Sequence, residues 1–245
     1  MAQAYYPMFA DLRGRRCLIV GGGLIAQRKA TTLLSYGAQV TVVSPDATSR
    51  LKRYAGERRI RYVARRFRPA DLRGVWLVCA ATDEATVNAQ VYREATRRRI
   101  FTNVVDQKPL CSFIAPAIAR RGGLTVAVST GGASPSVAQQ IRDRVDRAIG
   151  AEYAPMLRLL EGLRGAAKRT LPTYQDRKRY FDGLVCGRVF RLVKANRMAA
   201  ARRMALQQLR RQASGANPSA RTAAFARGLA QDSAPRALPA GLRGH

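Results

Sequence analysis

Histidine is nearly missing from this chain: its 245 residues hold one, His245. A zinc site, a Ser-His-Asp triad or a histidine base in the core is therefore not expected. Cysteine is sparse too. Cys17, Cys79, Cys111 and Cys186 lie far apart, no pair has C-x-x-C spacing, and two fall in apolar strand-like runs. They read as reduced thiols of a cytoplasmic protein. No apolar run approaches the roughly 20 residues of a membrane helix, so no membrane partner is expected. The opening stretch "MAQAYYPMFADLRGRR" lacks a charged segment followed by an apolar one, so it does not read as a secretory signal. Acids are scarce: 15 stand against 44 Lys and Arg, a net charge of +29. The excess is +15 over residues 1–150 and +14 over the rest, so it is global and not a basic tail. A nucleic acid is one reading of such charge and an acidic small substrate another. A compositional bias toward arginine is a third.

What is present is hydrophobic patterning, 47% of the chain. In "RRCLIVGGGLIAQRKATTLLSYGAQVTVVSP" an apolar run at 17–20 precedes three glycines. A helical face follows over 25–36, Gly37 ends it, and 40–43 is β-rich. That is a βαβ unit. Strands are predicted over 60–64, 75–80, 100–105 and 124–129. A helix follows Thr82, its expected N-cap, and another spans 135–149 with Ser134 as cap and Pro135 at its first position. The fold class is α/β: a Rossmann-type parallel sheet, then a change of register after Ile114, then helices from Tyr153 interrupted at Pro155 and Pro172. The segment after 212 is rich in Ser, Ala, Pro, Gly and Arg and reads as disordered.

Gly21-Gly22-Gly23-Leu24-Ile25-Ala26 fits G-x-G-x-x-G/A between a strand and a helix, the context that makes the motif meaningful. Gly21 permits the tight turn, Gly23 lets the backbone approach a pyrophosphate, and Ala26 lets the helix pack closely. A plain turn that binds nothing is the bland alternative. The acid usually found at the end of the second strand is displaced: Ser44 and Pro45 precede Asp46. Asp46 takes the ribose role, or backbone groups take it instead, or Asp46 merely caps the next helix. Arg50, Lys52 and Arg53 leave a 2′-phosphate open, and NAD is favoured over NADP. Leu24, Ile25, Ala81, Thr82 and Asn103 complete the expected cofactor surface. In "AVSTGGASPS" small residues and the hydroxyls of Ser129, Thr130, Ser134 and Ser136 make an anion cradle at a helix start, or an ordinary turn. Asp106 ends an apolar run in "NVVDQKPLCSFIAPA". Taken alone, it is more simply a cap or turn former.

"CLIVGGGLIAQRK", "AATDEATVN", "NVVDQKPLCSFIAPA" and "LTVAVSTGGASPSVAQQIR" occur in this order. The set resembles the precorrin-2 dehydrogenase / sirohydrochlorin ferrochelatase family, the N-terminal module of siroheme synthases, over residues 6–210. The resemblance implies an NAD-binding Rossmann domain at 1–113, a dimerisation region at 114–150, a helical C-terminal domain at 151–212 and a disordered tail at 213–245. It implies a homodimer that oxidises precorrin-2 to sirohydrochlorin. Asp106 would be the general base, kept ionised by Lys108. Ser129, Thr130, Gly131 and Ser134 would line the tetrapyrrole site. Some members also insert Fe2+ and others only dehydrogenate, and both readings stay open. No resident metal is expected. The 35 residues from 211 are too few for a methyltransferase domain, so precorrin-2 is expected from another enzyme. The rival from another class is a non-catalytic, dinucleotide-sensing regulatory module, which would keep Gly21 and Gly23 but not require Asp106. A specific nucleic-acid partner is not expected, because no base-stacking motif or helix-turn-helix accompanies the charge.

Overall fold

The computed structural model describes residues 5–215. Strands β1 (Arg16–Val20), β2 (Gln39–Val43), β3 (Ile60–Val63), β4 (Leu77–Ala80) and β5 (Phe101–Val104) form one parallel sheet in the order β3-β2-β1-β4-β5. The central strands are apolar throughout because both faces are covered. Alternation sends Cys17, Ile19, Val40 and Val42 to one face, where helices α1 (Leu24–Ser35) and α2 (Ser49–Gly56) bring Ala26, Ala30, Leu51 and Tyr54. Leu18, Val20, Val78 and Ala80 point the other way, against Val91 and Ala95 of α3 (Ala85–Arg97) and Leu72 of the 3-10 turn Pro69–Leu72. Each fully buried Leu or Ile contributes about 1.5–3 kcal/mol, so the two faces hold the sheet from both sides. The expected layered α/β architecture is present.

Register sets where the loops emerge. Val20 pairs with Val43 on one side and with Ala80 on the other, and Ala80 pairs with Val104. With Val43 also paired to Val63, all five strands end in one row. The chain steps left from β1 to β2 and β3 and then crosses to β4, so the switch point lies beside β1, at the glycine loop.

After the sheet the chain makes a hairpin of β6 (Ala117–Arg121) and β7 (Leu124–Val128), then α4 (Pro135–Ala148). One expected strand is thus two. The hairpin turns at Gly122, φ +60°, and Gly123. The helices α5 (Tyr153–Thr170), α6 (Tyr174–Cys186), α7 (Arg188–Lys194) and α8 (Met198–Gly215) follow. The described chain through Ala117, with Ala127–Arg142, makes one compact unit. Ile118–Val126 and the chain from Asp143 make a second. Segment 114–150 does not pack as one body.

In the helical unit Met156, Leu159, Leu163 and Ala167 recur every three or four residues along α5 and meet Ala201, Ala205 and Leu209 of α8. The Tyr180 hydroxyl donates to the Ala205 carbonyl at 2.9 Å. Burial pushes its pKa up to about 12, so it keeps its proton. Pro172 separates α5 from α6, but Pro155 does not interrupt a helix. It lies in the first turn of α5, where a missing N–H costs no intrahelical bond. Residues 213–215, expected in the tail, belong to α8, and 216–245 lie outside the described residues.

Arg65 grips Asp71 with two hydrogen bonds, 2.6 and 2.9 Å, while Asp71 Oδ2 also accepts the Arg68 N–H at 2.8 Å. The guanidinium, with that N–H, lowers the Asp71 pKa against the opposing effect of burial. A lowered folded-state pKa gives stability above the ordinary aspartate value near 4, lost as pH falls through the depressed value. Asp71→Asn should therefore lower the denaturation midpoint at pH 7. The gap to the unsubstituted protein should close as the pH falls through the depressed Asp71 value, measured by denaturant titration at each pH.

Candidate functional site

The row of strand ends builds a crevice from backbone first. Gly21 has φ +119°, and a Cβ there would lie 2.2 Å from the Ala81 carbonyl oxygen. A Cβ on Gly22 would lie 1.8 Å from the Asp46 carbonyl oxygen, and the Gly22 carbonyl accepts the Thr48 N–H at 3.0 Å. Both glycines are fixed by the protein's own packing. Gly23 is different: it has φ −77°, and a Cβ there would meet nothing within 4 Å. It is the N-cap of α1 and gives no side-chain cap, so open space lies over first-turn N–H groups. That is the fit a pyrophosphate needs. Leu24 is 70% exposed beside it, Ile25 is half-buried, and Ala26 is buried against the sheet.

At the end of β2, Tyr62 supplies an anchor that sequence reading missed. Its hydroxyl lies 3.0 Å from the Ser44 carbonyl and 3.1 Å from that of Pro45. Burial, reinforced by the Asp46 charge, raises its pKa and keeps it a donor. Its place in β3, two residues after Ile60, was the available signal. Asp46 does not cap α2. Thr48 does, accepting the Leu51 N–H at 3.3 Å. The Asp46 carboxylate is exposed and has no hydrogen bond among the described residues. Arg50 instead donates to the Tyr54 hydroxyl at 2.9 Å, and Arg53 approaches Glu57 at 3.8 Å.

After β4, Thr82 is not the cap of α3; Glu84 is. The Thr82 hydroxyl is 2.9 Å from Asn88 Oδ1 and 3.1 Å from the Glu84 carbonyl, and Asn88 Nδ2 donates to the Thr82 carbonyl at 2.8 Å. Asn88 is buried, so this pair sets the loop shape from inside. Asn103, expected to face a cofactor, is also turned inward. Its Oδ1 accepts Lys29 Nζ at 2.9 Å, and its Nδ2 donates to the Phe113 carbonyl at 3.2 Å.

Asp106 follows β5 at φ +57°, the third residue of a turn closed weakly from Gln107 N–H to the Val104 carbonyl at 3.4 Å. Aspartate is among the few residues that tolerate this conformation. The turn holds the carboxylate exposed, with no ion pair to Lys108 or to any other described residue. Lys108 leans the other way: a Cβ on Gly132 would come 3.2 Å from Lys108 Cδ and 3.7 Å from Nζ. Gly131 and Gly132 take φ +62° and +82°.

The Ser-Thr-Gly-Gly loop therefore meets the Asp106 loop within one unit. In it Ser129 Oγ accepts the Gly131 N–H at 3.1 Å, leaving its proton free. Thr130 is committed: its hydroxyl donates to the Ser134 carbonyl at 3.0 Å and accepts the Ser134 N–H at 3.1 Å. In this structure the Thr130 hydroxyl, expected to meet a ligand, closes the turn. Ser134 caps α4 as expected, with Oγ 3.3 Å from the Val137 N–H. Among the described residues no three His, Cys, Asp or Glu side chains gather as a metal site. Cys17, Cys79 and Cys111 are buried free thiols, and burial pushes Cys17 and Cys79 up to about 11.

The two outer glycines of the motif should behave oppositely. Gly21→Ala meets backbone at 2.2 Å and should lower the melting temperature sharply. Gly23→Ala should fold with near-normal stability yet lose dinucleotide affinity at least about tenfold, since the methyl occupies the approach path. Thermal melts and a fluorescence titration with NAD would separate the two effects.

Three family descriptions match in succession: putative NAD(P)-binding over residues 8–117, sirohaem biosynthesis protein central over 121–148, and sirohaem synthase dimerisation region over 152–209. Siroheme synthase of Methylobacillus flagellatus is 44% identical over 203 residues, 83% of this chain and 43% of that protein. Siroheme synthase 1 of Serratia proteamaculans is 37% identical over 211 residues, 86% of this chain and 44% of that protein. The chain spans less than half the length of these curated relatives. The solved structure of SirC, a precorrin-2 dehydrogenase, superposes with a TM-score of 0.69 at 26% identity, covering 84% of this chain and all of that one. An NAD(P)-binding sheet, a central region and a dimerisation region in this order place the chain in the family of siroheme synthase N-terminal modules.

Proposed function

We propose that the chain catalyses NAD-dependent oxidation of precorrin-2 to sirohydrochlorin as a homodimer, with Asp106 as general base. The observation that carries this reading is a carboxylate with no partner among the described residues, held exposed at φ +57° on the same sheet edge as the Gly23 cradle. The oxidation removes two electrons and two protons from the macrocycle, as one hydride and one proton. Bound NAD is the hydride acceptor. Asp106 takes the proton, which requires a free carboxylate within hydrogen-bond reach. The Gly23 cradle holds the pyrophosphate, and the exposed Asp46 carboxylate accepts from the adenosine ribose. NAD is favoured over NADP because Arg50 and Arg53, two of the three basic residues of the helix after β2, are engaged with Tyr54 and Glu57. The substrate's acetate and propionate groups meet Lys108 and the free Ser129 proton. Insertion of Fe2+, a substrate here, would expel two pyrrole protons and again falls to Asp106, since the described residues hold no histidine.

The test is an anaerobic assay with precorrin-2 and NAD, ferrous iron being added only after the first absorbance change is complete. Sirohydrochlorin should form only with NAD, and Asp106→Asn should lower kcat by about 100-fold or more. A second spectral change with iron, faster than without protein and lost in the variant, would establish chelation. Retained NAD binding without turnover would overturn the enzyme and leave the sensor. Lys108→Met should raise the tetrapyrrole KM by about 3- to 10-fold, leaving kcat nearly unchanged, as expected of an exposed charge-assisted bond. Steady-state kinetics at low and high salt would check that loss.

A further inference from the structure

The turn that presents Asp106 closes only weakly on itself. Its closing bond is long, 3.4 Å, and its third residue sits in a backbone region that side chains disfavour. Backbone bonds from the Val105 N–H to the Ala80 carbonyl at 3.0 Å and from the Leu110 N–H to the Gln107 carbonyl at 2.9 Å help hold it, and one buried sulfur atom ties its two ends together. The Val104 N–H donates to Cys111 Sγ at 3.3 Å. Sγ lies 3.2 Å from the Val104 carbonyl and 3.3 Å from the Gln107 carbonyl, so its single proton serves one of them at a time. Both ends of the turn are therefore tied to the same thiol, with Asp106 between them. Asn103 braces the sulfur from behind, its Nδ2 3.5 Å away, and Lys29 of α1 fixes the Asn103 amide at 2.9 Å. Asn103 and Cys111 are both 7% exposed, so water does not replace these bonds.

We infer that Cys111, braced by Asn103, is a positioning residue that sets the Asp106 carboxylate by clamping Val104 and Gln107. Lys29 extends the brace to the helix that begins at the glycine loop, so the base and the dinucleotide cradle share one fixed frame. A hydroxyl in place of the thiol is too short to reach all four partners, and a methyl reaches none. The catalytic consequence rests on the dehydrogenase reading, whereas the clamp itself does not.

The test compares the unsubstituted protein, Cys111→Ala, Asp106→Ala and the double variant. Cys17→Ala serves as control, since Cys17 is a buried thiol, 1% exposed, in β1 and takes part in none of the clamp's hydrogen bonds. Cys111→Ala should lower kcat by about 10- to 100-fold, the cost of misplacing a catalytic group by an ångström or less. KM and the NAD dissociation constant should stay within about twofold, and Cys111→Ser should recover part of the loss. In the Asp106→Ala background the substitution should cost nothing further, because it acts through the missing carboxylate. Amide hydrogen exchange reads the clamp without turnover: Val104–Gln107 should exchange at least about tenfold faster in Cys111→Ala and not in Cys17→Ala. An unchanged kcat, equal losses in both backgrounds, or unaltered exchange at Val104–Gln107 would each overturn the inference. If the unsubstituted protein does not oxidise precorrin-2, the functional reading falls by itself and the exchange result decides the clamp.

Discussion

Backbone meeting backbone at the end of β1 is the constraint on which the site depends. Gly21 lies against the Ala81 carbonyl and Gly22 against the Asp46 carbonyl, with no room for a Cβ at either. This contact lets one loop touch the ends of β2 and β4 together. The first turn of α1 is thereby aimed at the space over Gly23. A side chain at either glycine would push the loop from its neighbours, and the strand ends would no longer frame one crevice. The register of Val20, Val43, Ala80 and Val104 then carries that frame to Asp106 without further adjustment.

Much of this was legible. Buried parallel strands are continuous apolar runs, and the glycine motif sits where strand becomes helix, so β1, α1 and β2 were readable from hydrophobicity and punctuation alone. The failures have physical causes. Helix α2, "SRLKRYAG", buries only Leu51 and Tyr54 among basic residues, too few to show a period. The β6–β7 hairpin did carry its signal, Gly122-Gly123 between two short strands, but the arginines of β6 obscured the alternation. Thr82 looked like a cap because spacing cannot tell a hydroxyl facing a helix terminus from one facing a buried Asn88. The inward turn of Asn103 and Thr130 was illegible for the same reason: their partners, Lys29 and the Ser134 backbone, are fixed by tertiary path and loop shape.

The positive charge needs no single explanation. Arg65 is locked to Asp71, and Arg97 and Arg98 share Glu94 on α3, but acids are too few to pair most arginines. Exposed pairs of this kind contribute little to stability. The surplus acts at longer range, as a field that favours anions generally and falls with salt. A tetrapyrrole bearing many carboxylates would be drawn in by it without any one arginine being specific.

Four loops around the crevice share a device. Tyr62 holds the loop after β2, Asn88 the loop after β4, Cys111 the loop after β5, and Thr130 the loop before α4. Each spends side-chain hydrogen bonds on backbone, at places where no helix or strand ladder would satisfy those groups. The polar residues most easily read as ligand contacts are thus the ones that build the crevice. Among the groups left facing outward are the cradle at Gly23, the carboxylates of Asp46 and Asp106, the Ser129 hydroxyl and the Lys108 ammonium. Loops held this tightly lose little entropy when a ligand arrives, which is what a proton acceptor must have if its position is to be set before the substrate binds.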